Sequence, residues 1–366
     1  MNRTARNPVS RRIVAAVSVA TFATLGFAGC ASGGSTSTSS DGGSSDAIGV
    51  SLIVKTTSNP FFVAMEDGAK TAADKLGITL TLAAGKKDGD EDTQIQAIEN
   101  SISKGDKGIL ITVNGPGVED ALVKARDAGL FVIALDTPPT NPDAVDITFA
   151  TDNYLAGQDI GKWTAAKLDG KKATIAMLDL FSDKIVSVDY NRDQGFLDGM
   201  GIDTNDKTKN GDEAKTGSYS GGDYEIVGNE PTDGAEDGGR TAAETLLSKN
   251  PDINVIYTIN EPAAYGAYQA FKAAGKTDMI IASVDGGCAG VSQVKDGFIG
   301  ATAQQYPVKM AELGVQAIAD LVKTGTKPSV TEGLDFYNTG VALVTDDPQS
   351  GIESIDTTAA SKICWG

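Results

Sequence analysis

From residue 48 onward the chain alternates short apolar runs, rich in β-branched residues, with longer stretches of helical period. Apolar runs at 48–54, 78–83, 108–113 and 131–135 alternate with helical stretches at 63–76, 93–103 and 118–128. A second series has runs at 173–178, 225–227, 253–259, 279–284 and 298–303, with helices at 154–167, 193–200, 235–249, 263–274 and 306–323. Runs this apolar suit strands covered on both faces, which is where parallel strands joined by crossover helices lie. The alternation predicts an α/β fold of doubly wound parallel sheets. About 319 residues follow position 47, more than one core usually serves, so two similar lobes are expected. The polar, Gly-, Asp- and Lys-rich segment 201–224 reads as an exposed loop insertion.

Ahead of this series, four arginines and no acidic residue precede or open an apolar run at 13–28. This is the pattern of a secretory signal, too short and wrongly flanked for a membrane span. Phe27-Ala28-Gly29-Cys30 resembles a lipobox with Phe27 in place of the usual Leu, which makes Cys30 a candidate for lipidation. Arg11-Arg12 also fits a twin-arginine export signal, on which nothing else in the chain bears. Segments 1–29 and 30–47 are thus expected to be a signal peptide and a lipidated Ser/Gly-rich tether. The expected location is exported, lipid-anchored at the outer face of the cell membrane or in the periplasm.

Composition narrows the partners. The formal charge is −18, and removing the four arginines of the leader takes it to −22. Nucleic acid and anionic membrane surfaces are therefore not expected, and the membrane enters only through the lipid anchor. The absence of histidine removes the commonest general base and metal ligand. With Cys30 lipidated, Cys288 and Cys364 are left over, and in an oxidising compartment two such thiols most simply form a disulfide. Two free, unrelated thiols are the alternative.

Open α/β sheets bind ligands beyond the carboxyl ends of their strands. Ser58-Asn59-Pro60-Phe61-Phe62 follows the first run, with Pro60 suited to the first turn of a helix. An amide beside aromatic faces suits a sugar, which offers C–H faces to stack and hydroxyls to bond. Of the two phenylalanines, one is expected in the core and one in the crevice. Asp136-Thr137, Asn260-Glu261, Asp285 and Gln305 follow later strands, and Arg192 lies just before the helix expected near Asp193. Taken singly, each polar residue also suits an ordinary turn or helix cap.

Over about 48–344 the chain resembles the extracytoplasmic sugar-binding proteins of ABC importers, the ribose-binding type of periplasmic binding protein. The matching segments are Asn59-Pro60-Phe61-Phe62, Ala134-Leu135-Asp136, Thr151-Asp152-Asn153, Arg192-Asp193-Gln194-Gly195-Phe196, Ile259-Asn260-Glu261, Val284-Asp285-Gly286 and Ala303-Gln304-Gln305. Leu135-Asp136-Thr137-Pro138, Asp189-Tyr190-Asn191-Arg192, Cys288 and Cys364-Trp365-Gly366 are worded most like fructose-type members. The resemblance implies a type I periplasmic binding protein, two doubly wound parallel-sheet lobes joined by a multi-strand hinge. The lobes would be 48–152 plus 306–338 and 153–305 plus 339–366. It implies hydrogen bonds to sugar hydroxyls from Asn59, Asp136, Arg192, Asn260, Asp285 and Gln305, and stacking by Phe61 and Phe62. Thr137 and Glu261 complete the expected ligand set. Thr137 replaces the arginine of ribose binders, and Gly234 stands where they carry an aromatic. Phe181, Tyr190 and Tyr265 are candidates to cover that second sugar face, and Lys55 is either a replacement donor or a surface lysine.

The implied function is binding of a monosaccharide, fructose favoured, and its delivery to an ABC importer permease. The expected protein is a monomer with no cofactor, metal ligand or catalytic residue. Alternatives are another pentose or hexose, or a sensor that presents its sugar to a receptor. A nucleotide-dependent oxidoreductase is disfavoured: no Gly-x-Gly-x-x-Gly follows the first run, and Gly115-Pro116-Gly117 lacks the third glycine.

Overall fold

A computed structural model of the chain describes residues 47–366. The leader, Cys30 and the tether short of its last residue lie outside the described residues. In the first lobe, β1 (Gly49–Val54) is buried over five of its six residues, as a parallel strand covered on both faces should be. It is followed by α1 (Pro60–Leu76), β2 (Thr79–Ala84), α2 (Glu91–Lys104), β3 (Gly108–Ile111), α3 (Glu119–Asp127), β4 (Phe131–Leu135) and β5 (Ile147–Ala150). The second lobe takes α4 (Asn153–Leu168), β6 (Ala173–Asp179), α5 (Ser187–Met200), β7 (Thr216–Ser218), β8 (Asp223–Pro231) and α6 (Glu236–Lys249). It continues through β9 (Val255–Thr258), α7 (Glu261–Ala273), β10 (Ile280–Asp285), α8 (Cys288–Lys295) and β11 (Ala301–Gln304). Then α9 (Pro307–Thr324) and β12 (Tyr337–Asn338) return to the first lobe, and β13 (Ala342–Val344) and α10 (Thr357–Ala360) to the second.

The first sheet runs β2-β1-β3-β4-β5-β12, parallel throughout. The second runs β7-β8-β6-β9-β10-β11-β13, parallel except for its antiparallel edges β7 and β13. Both sheets share one topology, with the order reversing between β1 and β3 and between β6 and β9. At such a reversal the flanking loops part and leave a crevice at the strands' carboxyl ends. Three chain segments cross between the lobes among the described residues, after β5, after β11 and after β12. Separate apolar cores cover the two faces of each sheet.

The structure departs from the expected elements where burial hides the helical period. Helix α5 begins at Ser187, six residues before the expected start, because Ser187, Val188, Asp189, Arg192, Asp193 and Gln194 are all buried. Such a helix has no polar face to betray it. Arg192 therefore sits in the body of α5, not ahead of it. Helix α8 and the short strands β5, β7, β12 and β13 were not expected either. The segment 201–224 is not simply exposed: Ile202, Glu213, Tyr219 and Tyr224 are buried, and β7 pairs with β8.

Helices α4 and α5 are held together through glycines. Gly157 and Gly161 of α4 lie against the backbone of Arg192 and Phe196, and Gly195 and Gly199 of α5 lie against Tyr154 and Gln158. A side chain at any of the four would meet main-chain atoms that have nowhere to move. Gly195→Ala is expected to destabilise the protein by about 1–3 kcal/mol through overpacking. A thermal midpoint equal to wild type in calorimetry would show that the helices part without cost.

Candidate functional site

Asn59 caps α1, its Oδ1 accepting from the Phe61 amide at 2.9 Å. The cap consumes the acceptor and leaves Nδ2 as a donor on the crevice wall. Phe61 and Phe62 meet edge to face at 5.3 Å, and Phe61 meets Trp365 in the same way at 5.3 Å. Both phenylalanines belong to the first lobe's core and both line the crevice. The expected division between one core ring and one crevice ring does not hold.

Asp136 directly follows β4 and Asp285 is the last residue of β10, both with positive φ, 64° and 146°. Backbone held there costs of order 1–3 kcal/mol and persists only when neighbours fix it. The Thr137 hydroxyl donates to Asp136 Oδ2 at 2.8 Å. Glu261 accepts from the Gly286 and Gly287 amides at 2.8 and 3.1 Å and from the Thr302 hydroxyl at 2.8 Å. Thr137 and Glu261 thus differ from the expectation: neither lines the inner cavity, and both brace an aspartate that does. Gln305 Nε2 donates to Asp285 Oδ1 at 2.7 Å.

Arg192 is anchored on two sides, Nε to Asn153 Oδ1 at 2.7 Å and Nη1 to Ile259 O at 2.9 Å. Its Nη2 faces Asp136 Oδ1 of the other lobe at 3.7 Å. Asn260 caps α7 through Oδ1 and donates Nδ2 to Gly234 O at 2.9 Å, so it shapes the wall more than it offers free groups. Ser187 Oγ donates to Pro138 O across the crevice at 2.9 Å, and Lys184 reaches Gly89 and Glu91. The lobes are closed on one another.

Between them lies a small cavity. It brings together Asn59, Phe61, Phe62, Asp136, Arg192, Asn260, Asp285 and Gln305. Sequence reasoning missed Asp88, which looks like a surface turn residue in Lys87-Asp88-Gly89-Asp90. The one signal was its place after the carboxyl end of β2. Lys55 lines the cavity too and is 2% exposed, which excludes the surface-lysine reading. The apolar lining from the second lobe is aliphatic, made by Leu180, Val188 and Ile259. Phe181 and Tyr190 instead line a separate surface pocket, and Tyr265 lies outside the cavity. At Gly234, φ is 64°, and a Cβ would come within 3.1–3.3 Å of Leu180, Asn260 and Asp88.

Three buried acceptors on this wall have no hydrogen-bond partner among the described residues: Asp88 Oδ1, Asp136 Oδ1 and Gln305 Oε1. Unpaired acceptors held out of water are costly unless a ligand supplies donors. Burial pushes Asp88 up to about 6, with Lys55 opposing. Burial raises Asp285 to about 7 against Arg192, and Glu261 to about 8, with the Asp285 charge adding to it.

A model of the periplasmic binding protein domain matches residues 48–327. The chain belongs to the periplasmic binding protein family. Among its relatives, the ribose import binding protein of Salmonella typhimurium is 28% identical over 288 residues, 78% of this chain and 88% of that one. The D-apiose import binding protein of Actinobacillus succinogenes is 30% identical over 284 residues, 76% of this chain and 83% of that one. A galactofuranose binding protein of known crystal structure superimposes with a TM-score of 0.68 at 25% identity, covering 81% of this chain and 94% of that one. This periplasmic binding protein is a binding protein and not an enzyme, with two parallel-sheet α/β lobes.

At the end of the second lobe, Cys288 is disulfide-bonded to Cys364 with Cα atoms 4.9 Å apart. The bond seats Trp365, whose Nε1 donates to Gln305 O at 2.8 Å and whose ring rests on Phe61. Trp365 therefore joins the first lobe's core, although residues 339–366 were expected to belong to the second lobe. It is a further residue that sequence reasoning did not place at the site.

The raised carboxyl groups have a consequence for stability. Asp88, Asp285 and Glu261 hold protons in the native protein at pH values where the unfolded chain has lost them, between about pH 4 and 8. Their contribution is fully present below about pH 4 and is lost as pH rises through 6 to 8. The thermal midpoint of the ligand-free protein should accordingly fall between pH 5 and pH 8. A midpoint that climbs across that interval would mean these carboxyls are ionised in the native state.

Proposed function

We propose that this protein binds one neutral monosaccharide between its lobes outside the cytoplasm and delivers it to an ABC importer, with fructose the favoured sugar. The observation that carries the reading is a closed cavity that pairs unsatisfied acceptors with donors beside aromatic faces. Asp88, Asp136 and Gln305 present orphan oxygens, while Asn59, Arg192 and Lys55 bring N–H groups to the same wall. Sugar hydroxyls both donate and accept, so one ring can satisfy both sets. Hydrogen bonds to charged groups contribute about 1.5–3 kcal/mol each. A few of them with ring stacking offset the cost of association and reach about 8 kcal/mol, the micromolar range. Relatives named for ribose, D-apiose and D-allose import or binding support a monosaccharide. Fructose is favoured by the similarity of the Asp136-Thr137, Asp189–Arg192 and Cys364-Trp365-Gly366 segments to fructose-type members. Closure of the lobes on the sugar supplies the shape an importer reads.

A thermal-shift screen against fructose, ribose, xylose, galactose and glucose tests the reading, since a ligand at a hundred times its Kd stabilises by about 2.7 kcal/mol. Asp136→Ala should fold and lose the stabilisation. Arg192→Lys should weaken binding by at least about tenfold, because an ammonium cannot hold Asn153 and Ile259 and still face the sugar. Binding within twofold of wild type in the lysine variant would reduce Arg192 to a structural role.

We also propose that Cys30, next to Phe27-Ala28-Gly29, carries a lipid that keeps the protein at the membrane as a tethered monomer. Cys30→Ser should release it from the membrane fraction into the soluble exported fraction. Retention of the serine variant at the membrane would refute lipid attachment there.

A further inference from the structure

The inner cavity is not the whole of the space between the lobes. A larger, partly open cavity abuts it and shares Asn59, Asp88 and Asp285 as walls. It persists although the lobes are closed. On one side stands Pro60 at the start of α1; on the other stand Glu236 and Asp237 at the start of α6, and Pro262 and Tyr265 on α7. Gly234 lines this outer cavity, and a Cβ there would come within 3.1–3.3 Å of Leu180, Asn260 and Asp88, which line the inner one. The two spaces meet along the residues they share, Asn59, Asp88 and Asp285.

The outer cavity has its own chemistry. Pro60, Pro262 and Tyr265 present apolar faces, and Asp233, Glu236 and Asp237 present carboxylates, against one cation, Lys87. The acidic pair opening α6 already occupies the positive end of that helix's dipole. An anionic group such as a phosphate would meet like charge. A second sugar unit, neutral, with C–H faces and hydroxyl donors, fits both features.

We propose that the outer cavity is a second subsite, and that the ligand class extends to neutral glycosides whose terminal monosaccharide fills the inner cavity. The substituent passes along the shared wall of Asn59, Asp88 and Asp285 and lies against Tyr265 and Pro262. This rests on the monosaccharide reading of the inner cavity. Asp136, Arg192 and Gln305 hold the terminal ring, and the carboxylates of the outer cavity accept hydroxyls from the second unit. The free monosaccharide and its glycoside share the inner contacts, so they compete.

Calorimetric titration of the wild-type protein tests this with the free sugar that binds in the screen, its methyl α- and β-glycosides, its phosphate ester and a disaccharide that ends in it. One methyl anomer should bind within about threefold of the free sugar, and the disaccharide at least as tightly. The phosphate ester should bind more weakly than the methyl glycoside. Tyr265→Ala should weaken the disaccharide by about tenfold and leave the free sugar unchanged. The inference is overturned if the free sugar binds while both methyl anomers and the disaccharide are rejected by about a hundredfold or more. It is overturned equally if Tyr265→Ala leaves the disaccharide unaffected. Failure of every monosaccharide and every glycoside would instead remove the monosaccharide reading, and the subsite with it.

Discussion

Arg192 is the point on which the two lobes agree. Its guanidinium is buried on the body of α5, bonded to the first residue of α4 and to the carbonyl that ends the β9 segment, and turned toward Asp136. One side chain therefore ties a crossover segment, a strand end of the second lobe and a cavity-lining carboxylate of the first. A guanidinium suits this because its planar fork serves several fixed acceptors at once. The glycine contact between α4 and α5 makes the arrangement possible. Without close approach of the helices, Asn153 would lie out of reach of Nε.

The site is assembled at a cost to the fold. Asp136 and Asp285 occupy backbone conformations that side chains disfavour, and Glu261 and Thr137 hold the loops in place. Behind α5, Asp189 accepts from the Leu180 and Phe181 amides at 2.9 and 3.2 Å, which fixes the loop that supplies Leu180 to the cavity. Burial raises Asp189 to about 6 and Asp179 to about 7, the neighbouring charge adding to the latter. Orphan acceptors and protonated carboxyls are both ways of storing free energy that a ligand can release. A binding protein that must close on its ligand, and not on itself, gains from a site that is poorly satisfied alone.

The disulfide and Trp365 extend this logic to the end of the chain. Cys288 opens α8 two residues after Gly286, so the bond to Cys364 steadies the loop carrying Asp285. Trp365 then spans from Gln305 to Phe61, one a polar group of the cavity and the other an aromatic face of it. The last residues of the chain touch both lobes beside groups that line the cavity.

Much of this was legible in the amino-acid sequence. Strand–helix alternation specifies parallel sheets because buried strands and amphipathic helices leave different periods, and Asp, Asn and Gln after strand ends mark the crevice edge. Asn59, Asp136, Asp285 and Gln305 were singled out in that way, Arg192 was marked ahead of an expected helix, and the resemblance to sugar-binding proteins gave all five a role. Tertiary structure decided the rest. The start of α5 was invisible because a helix buried on all sides has no polar period. Asp88 was not singled out and Lys55 stayed divided between a donor and a surface lysine, because charge usually signals solvent; both are buried between the lobes. Thr137 and Glu261 stand beside ligand groups in the chain yet turn their side chains onto the backbone and carboxylates behind the wall. Which neighbour faces a cavity depends on φ, and the positive φ of Asp136 and Asp285 is set by packing from distant segments. Local sequence can name the loops of such a site, but the facing of each side chain belongs to the closed pair of lobes.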